Sequence, residues 1–507
     1  MAGTLSHLNG LRSSHILQQN GVWDPQFVRN VIMRSLQKLS PRNRVACRFD
    51  TLMEFIVNIS QHSENWLTIV TCLMGHMPVD SNTTAAILII MRAIHAPDVA
   101  TVTNLLTNRF NLGQRRALAP ILDIEIEKNI CIVLNCLAEK FVGNQSTLVF
   151  THDVCSYLCN IFVNDRFHND AELQKIVLLT LEKFSAIAEN KKKVLDKLAE
   201  LNVNHLPNLE KFYTDTSADD GIWREIRYCA RWTLDNIFPI NGRHLSYETV
   251  DTSRTNAMFN NNEPSQFLKY SPDLMEIRND TIQTQTLYGT CHVKDGKWYY
   301  EISLITNGSF VIGWAITGAD MTASVGFEEF SVGYEGSKKL MWYFKNAYVV
   351  GLGVWKRGDV LGCLLDITNK TITFFLNGKE SIVTSDDFFA PTEETKKFFP
   401  AITIAPFQQC VVNLGNRPFR NPPAGVRFST FNAVGELSVV QKRKFGIPRR
   451  VLQQEGMYNE IDDTCSVCYD RAANVTLLPC QHRILCRACS IRIWVCPICR
   501  SAINERV

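Results

Sequence analysis

Apolar residues recur every three or four positions through the first part of the chain and mainly every two positions further on. From residue 24 to about 240 the period is helical. Asp24-Pro25 offers an N-cap and a proline at the first helical position, and Phe27, Val28, Val31, Ile32, Leu36 and Leu39 then share one face. Thr51 and Glu54 have capping-box spacing ahead of Leu52, Phe55, Ile56 and Ile59. Asn169 and Glu172 repeat the device before Leu173, Ile176, Val177, Phe184 and Ile187. Similar stripes run through 64–78, 83–95, 121–142, 149–163 and 221–237. Short helices of this kind must bury their faces on one another, so residues 24–240 are expected to form an all-α domain. A bundle and an armadillo/HEAT-like stack both fit, because no motif repeats at a fixed period. A partner-binding surface and a plain structural domain are both open for it. Residues 1–23 are expected to be a flexible N-terminus.

The pattern changes near residue 241. Residues 241–267 are polar and Asn-rich, which predicts a linker or flank. After them the period is two: Trp298, Tyr300, Ile302 and Leu304 face one way, Tyr299, Glu301 and Ser303 the other. Residues 371–376 alternate similarly and run into Asn377-Gly378, a hairpin signal because both residues tolerate positive φ. Further strands are expected at 274–278, 310–316, 360–366, 400–405 and 409–414. Many short strands with glycine-rich turns argue for a central antiparallel β-sandwich over 268–425. Residues 426–464 read as a second linker. Its stretch KRKFGIPRR (442–450) places five cations in nine residues, a solvated linker in one reading and a nuclear-localisation or nucleic-acid patch in another.

Composition narrows the classes. The chain has 507 residues, 46% hydrophobic and 20% charged, which excludes collagen-like, mucin-like and wholly disordered proteins. A formal charge of +3 gives no general pull toward nucleic acid or anionic membrane, so neither is an expected partner. No run reaches the ~18–20 apolar residues of a membrane helix. The first residues lack the apolar core of a secretory signal. A cytoplasmic location is therefore expected, with the nucleus as second compartment, unless an upstream start supplies a signal.

The 17 cysteines are unevenly placed: ten lie before residue 465 and seven between Cys465 and Cys499. Of the ten, Cys131, Cys136, Cys155 and Cys159 fall in apolar helical contexts that suit reduced, buried thiols. The cluster is different. Cys465, Cys468, Cys480, His482, Cys486, Cys489, Cys496 and Cys499 supply two zinc sites' worth of ligands. Three CxxC pairs matter because two thiolates spaced in this way can turn back onto one tetrahedral Zn²⁺ at about 2.3 Å. So short a segment cannot bury enough apolar surface to fold alone, and metal would supply much of its folding free energy.

Two family resemblances follow. The segments KWYYEISL (297–304), FVIGWAI (310–316), SVGYEG (331–336), VWKRGDVLGCLLDITNKTITFFLNG (354–378) and FFPAITI (398–404) resemble successive strands of a SPRY (B30.2-like) domain. That resemblance implies a protein-binding sandwich whose end loops hold the ligand. Trp298, Trp314 and Trp355 lie in strand-like segments and are expected in the core. Tyr334, Trp342 and Tyr343 lie near loop-like stretches and are the candidate substrate-binding residues.

The order CxxC, CxH, CxxC, CxxC resembles a RING finger of the C3HC4 type, here over residues 465–500 with a tail at 501–507. The resemblance implies a zinc cross-brace: Cys465, Cys468, Cys486 and Cys489 on one ion, Cys480, His482, Cys496 and Cys499 on a second. It also implies an E2-binding groove from Val467, Pro497 and Ile498, with Trp494 as the aromatic member and Arg500 bridging E2 and ubiquitin. Only six residues separate Cys489 from Cys496, a spacing that resembles inhibitor-of-apoptosis RINGs, whose groove is built differently and which tend to dimerise. A RING homodimer is therefore open. Helical domain, SPRY and C-terminal RING together resemble the RING finger and SPRY domain-containing family. The implied function is a RING-type E3 ubiquitin-protein ligase with no catalytic nucleophile of its own, its partners a ubiquitin-charged E2, ubiquitin and a protein substrate taken by the SPRY domain. The alternative is a zinc-stabilised interaction adaptor without ligase activity.

Overall fold

The computed structural model of the chain describes residues 18–19, 21–39, 46–75, 81–113, 123–141, 143–164, 167, 170–201, 207, 210, 221–260, 267–349, 351–384, 386–389, 397–454, 465, 473–479, 482–491, 493–494 and 503–507. The chain divides into two units, 1–212 and 213–507.

The first unit opens on a two-stranded hairpin, Gln18–Gln19 (β1) and Val22–Trp23 (β2), and is otherwise helical. Asp24 caps the first helix, Pro25–Leu39, as its spacing predicts: its carboxylate accepts the Phe27 N–H at 2.9 Å. Trp23 stacks on Phe27 with ring centroids 5.2 Å apart. The helix Ala46–Ile59 begins ahead of Thr51, which lies within it and not at its start. Asp170 caps Ala171–Phe184, because its backbone is extended and its carboxylate accepts the Leu173 N–H at 2.8 Å; Asn169 is outside the described residues. The helix Ile124–Lys140 is the centre of this unit, touching Ser63–Gly75, Ser81–Ala93 and Ala171–Phe184. Its burial nearly all round brings polar groups inside, and several of them are paired. Glu127 takes the Tyr157 hydroxyl, and Lys183, 2% exposed, reaches Asn135 at 2.8 Å and Glu139 at 2.7 Å.

The second unit contains two seven-stranded antiparallel sheets. One runs Asn346–Val349 (β11), Leu340–Tyr343 (β10), Ser331–Glu335 (β9), Phe310–Ile316 (β8), Phe398–Ile404 (β15), Gln285–Gly289 (β6), Phe259–Asn260 (β3). The other runs Lys379–Thr384 (β14), Thr371–Leu376 (β13), Val360–Asp366 (β12), Lys297–Leu304 (β7), Gln408–Asn413 (β16), Glu276–Asn279 (β5), Leu268–Tyr270 (β4). Trp298, Tyr300, Ile302 and Leu304 enter the shared core with Trp314 and Trp355, as the period of two requires. The opposite face of β7 is also covered: Tyr299 packs with Leu364, Phe375, Phe419 and Phe428. Asn377 and Gly378 have φ of 51° and 81° and close β13 onto β14.

Three expected boundaries are corrected. The helix Gly221–Asn236 belongs to the second unit, where Glu225 pairs with Arg278 at 3.0 Å and with Arg357 at 2.9 Å. The first expected linker, 241–267, contributes Ala257, Met258 and Phe259 to the sandwich core, and β3 pairs with β6. The second, 426–464, contributes Phe431 and Leu437 to that core and then forms the helices Val439–Gly446 and Arg449–Gln454. Within KRKFGIPRR, Lys442 donates to the Thr252 carbonyl at 2.9 Å, Arg450 to the Asp235 carbonyl at 3.0 Å, and Phe445 meets Tyr270 edge-on. The stretch is strapped to the sandwich unit because its apolar residues and cation stems have surface to cover there.

Asp366 gives the sandwich an acid-sensitive point. Burial alone would raise its pKa, but the Lys297 ammonium at 2.8 Å and hydrogen bonds from Asn369 outweigh burial and lower it. A carboxyl whose folded pKa is depressed contributes stability above its unfolded pKa of about 3.9 and loses it as pH falls through the folded value. Urea midpoints across this range should fall on acidification, and Asp366→Asn should flatten that slope. An unchanged slope would show that the carboxylate does not set it.

No helix among the described residues is long and apolar enough to cross a membrane, and none of the described cysteines forms a disulfide.

Candidate zinc centre and recognition face

The C-terminal segment folds around a three-stranded sheet ordered His482–Leu485 (β18), Val475–Leu478 (β17), Glu505–Arg506 (β19). β18 runs directly into Cys486, whose extended backbone starts the short helix Arg487–Ser490, so Cys486 and Cys489 sit at its first turn. The Cys489 and Ser490 N–H groups donate to the Cys486 carbonyl at 3.1 and 2.9 Å. Asn474 accepts the Arg487 N–H at 3.2 Å and ties that turn to the start of β17.

This turn brings Cys486 and Cys489 to Cys465, more than 20 residues earlier, with their sulfurs all within 4.8 Å of one another. The three are 0%, 5% and 0% exposed. Buried thiols this close, with no disulfide between them, have the donor chemistry of a zinc site. They are three of the four residues expected on the first ion. Cys468, the fourth, lies outside the described residues, as do Cys480, Cys496 and Cys499 of the second set; His482 is placed in β18 by its backbone. The thiols elsewhere differ in character. Burial pushes Cys136 and Cys363 up to about 12, which keeps them protonated.

The expected tail is part of this fold. Thr476 and Val507 exchange two backbone hydrogen bonds at 2.7 and 3.0 Å, and Ile503 enters the small core of Val475, Leu477 and Leu485. Arg506 donates to the carbonyls of Ser490 and Ile493, each at 2.8 Å, and its guanidinium lies 5.4 Å from the Trp494 ring centre. Trp494 is 73% exposed, so its ring is available on the surface of this segment. Val467, Pro497, Ile498 and Arg500 lie outside the described residues.

On the sandwich, Tyr334 is corrected as a surface anchor. It is fully buried in β9 against Trp355 and Phe374, its hydroxyl donates to the Gly353 carbonyl, and burial pushes its pKa up to about 12. Both faces of β9 are covered, so alternation along it gives no outward side. Trp342 is half-buried, its Nε1 donating to Glu335 at 2.9 Å and its ring lying on Phe327. Tyr343 is half-buried against Phe388. Their neighbours on the β10–β11 hairpin, Phe344, Tyr348 and Val349, are exposed apolar groups, at 56%, 48% and 78%. Phe344 and Lys345 close this hairpin with φ of 49° and 61°, a left-handed turn that bulky side chains rarely take. The run FKNAYVV between strand-like segments was the signal available for them.

Comparison with known proteins agrees with this division. The family model described as SPRY domain matches residues 297–417, and the one described as zinc finger, C3HC4 type (RING finger), matches 461–506, which takes in β19. The Arabidopsis thaliana protein named E3 ubiquitin-protein ligase RKP is 32% identical over 132 residues, covering 26% of this chain and 10% of that protein. A putative RING finger protein, 157L, of Invertebrate iridescent virus 6 is 40% identical over 47 residues, 9% of this chain and 31% of that one. This chain thus spans a tenth and about a third of the lengths of these relatives. Among solved structures, the SPRY domain of human HERC1 is 13% identical with a TM-score of 0.23, covering 30% of this chain and 91% of that domain. With its strands, core and cysteine cluster in place, the chain carries a SPRY domain followed by a C-terminal, zinc-binding C3HC4 RING finger.

Proposed function

We propose that this chain is a RING-type E3 ubiquitin-protein ligase, in which the SPRY domain holds a protein substrate and the RING holds a ubiquitin-charged E2. The observation that carries the reading is the buried cluster of Cys465, Cys486 and Cys489 inside a segment matching C3HC4 RING fingers. The partial likeness to a protein named as an E3 ubiquitin-protein ligase supports it. Two zinc ions, in the interleaved sets given above, act as structural staples and take no part in bond making.

The chain supplies no nucleophile. Val467, Pro497 and Ile498 would form the apolar groove for the E2, with exposed Trp494 beside it. Arg500 would use its planar fork of donors to hold E2 and ubiquitin together, so that the thioester is presented to the substrate amine in an attack-ready pose. The substrate would be taken by the β10–β11 hairpin, where half-buried Trp342 and Tyr343 support exposed Phe344 and Tyr348. Localisation in the cytoplasm fits such a role.

Autoubiquitination of the full chain with a panel of E2 enzymes tests the reading. Chains should form with at least one E2, and Ile498→Ala, the loss of a central apolar anchor, should slow them about tenfold or more. If wild type is inactive with every E2, or Ile498→Ala matches an active wild type, the groove does not work in this way. In the first case the chain is a zinc-stabilised adaptor.

A further inference from the structure

Trp494 lies just past the helix Arg487–Ser490, which is a single turn. A helix this short leaves its last carbonyls without partners of its own, so the chain that follows it needs donors from elsewhere. The C-terminal strand supplies three. Arg506 donates from Nε to the Ser490 carbonyl and from Nη2 to the Ile493 carbonyl, each at 2.8 Å, and the Ile503 N–H donates to the Trp494 carbonyl at 2.9 Å.

The arginine is itself held from both sides. Glu505–Arg506 (β19) pairs with β17, the Asn504 N–H donates to the Leu478 carbonyl at 2.9 Å, and Val507 exchanges two hydrogen bonds with Thr476. A planar guanidinium carries its donors in a rigid fork, so a fixed backbone with both prongs taken sets where the cation lies. It lies over the Trp494 ring, 5.4 Å from its centre. That ring is 73% exposed. An exposed side chain ordinarily exchanges rotamers within nanoseconds, and a cation fixed over one face of the indole restricts that exchange.

We infer that Arg506 is a positioning residue for E2 recruitment: it ties down the turn from Ser490 to Ile493 and holds the Trp494 ring in the pose in which it meets the E2. This rests on the ligase reading. An aromatic anchor that is ordered before docking loses less freedom on binding than one ordered at that moment, so the effect falls on E2 affinity and not on the transfer step. Arg506 acts through Trp494, and its role is distinct from the bridging task given to Arg500.

Binding of the E2 panel to the full chain, with ubiquitin discharge measured at varied concentrations of charged E2, tests this. Arg506→Gln should weaken binding of the E2 that wild type uses by about five- to tenfold. The loss should appear in KM for the charged E2, with kcat within about twofold of wild type. Zinc content and protease protection of the RING should match wild type. Trp494→Ala should cost at least as much affinity, and adding Arg506→Gln to it should cost nothing further, because no ring is left to position. Arg506→Lys keeps a cation near the ring but lacks the fork, and it should recover part of the affinity. Wild-type affinity in Arg506→Gln, loss of zinc from it, or additive losses in the double variant would overturn the inference and leave the ligase reading standing. A wild type that binds no E2 overturns both.

Discussion

Cys486→Ser is expected to remove zinc, unfold the RING and abolish ubiquitin chain formation, while the SPRY sandwich stays folded. The reason is the size of the core. Among the described residues of the C-terminal segment, the buried apolar side chains apart from cysteines are Ala473, Val475, Leu477, Leu485 and Ile503. A core this small cannot offset the conformational entropy of ordering some 40 residues. Structural zinc sites contribute about 10–16 kcal/mol of apparent binding free energy at neutral pH, so metal and fold are lost together. The sandwich has its own core of tyrosines, tryptophans and aliphatic residues and needs no metal. Metal analysis with limited proteolysis checks this: wild type should carry two zinc per chain with a protected RING, and Cys486→Ser fewer, with cleavage confined to residues beyond about 454. Cys363→Ser is the control. That thiol is equally buried but sits in the sandwich, held protonated by burial, so its loss should leave the zinc content unchanged. Full zinc content and protection in Cys486→Ser would remove Cys486 from the ligand set.

Arg278→Leu is expected to destabilise the sandwich unit by about 3–5 kcal/mol, the usual cost of leaving buried partner charges uncompensated. Arg278 is fully buried, donating to Asp280 at 2.8 Å, to Glu225 at 3.0 Å and to Gln409 at 2.9 Å. Asp280 also pairs with Lys269 at 2.8 Å, and Glu225 with Arg357 at 2.9 Å. Removing the central guanidinium takes a cation from both Glu225 and Asp280. For a unit of this size the melting midpoint should fall on the order of 10 °C. The expected partner result is that Glu225→Leu, on the helix Gly221–Asn236, destabilises the sandwich too, because it orphans part of Arg278 and Arg357. Tryptophan fluorescence in a urea titration reports on Trp298, Trp314 and Trp355 within that core. If Glu225→Leu leaves the midpoint unchanged, the helix is not part of the sandwich's cooperative unit.

Much of this molecule was legible because the deciding interactions are local. Strands 310–316, 360–366 and 371–376 lie where the sequence predicts strands, since an apolar run bounded by turn residues is a property of a few consecutive residues. Asn377-Gly378 turns where its dihedral tolerance says it should. The Asp24 cap needs only its own three following residues. Cysteine spacing singled out the metal segment for the same reason: two CxxC thiols reach one ion whatever surrounds them.

The errors share a different cause. Tyr334 is buried where its sequence neighbourhood predicts exposure, because sequence spacing does not reveal that the second face of β9 is also covered. The helix Gly221–Asn236 has the stripe of any helix, and its allegiance to the sandwich comes from Glu225 meeting Arg278, 53 residues away, and Arg357, 132 away. Residues 257–259, 431 and 437 look like linker until core positions distant in sequence receive them. Glu505–Arg506 becomes a strand only because β17 offers an unpaired edge. By itself, then, the amino-acid sequence determined the metal chemistry, the two β-rich and zinc-bearing domain types and the helical start, because those depend on neighbours along the chain. Only the tertiary structure decided where the units divide and which aromatic side chains meet solvent, because burial and charge pairing are set by residues that the fold brings together from far apart.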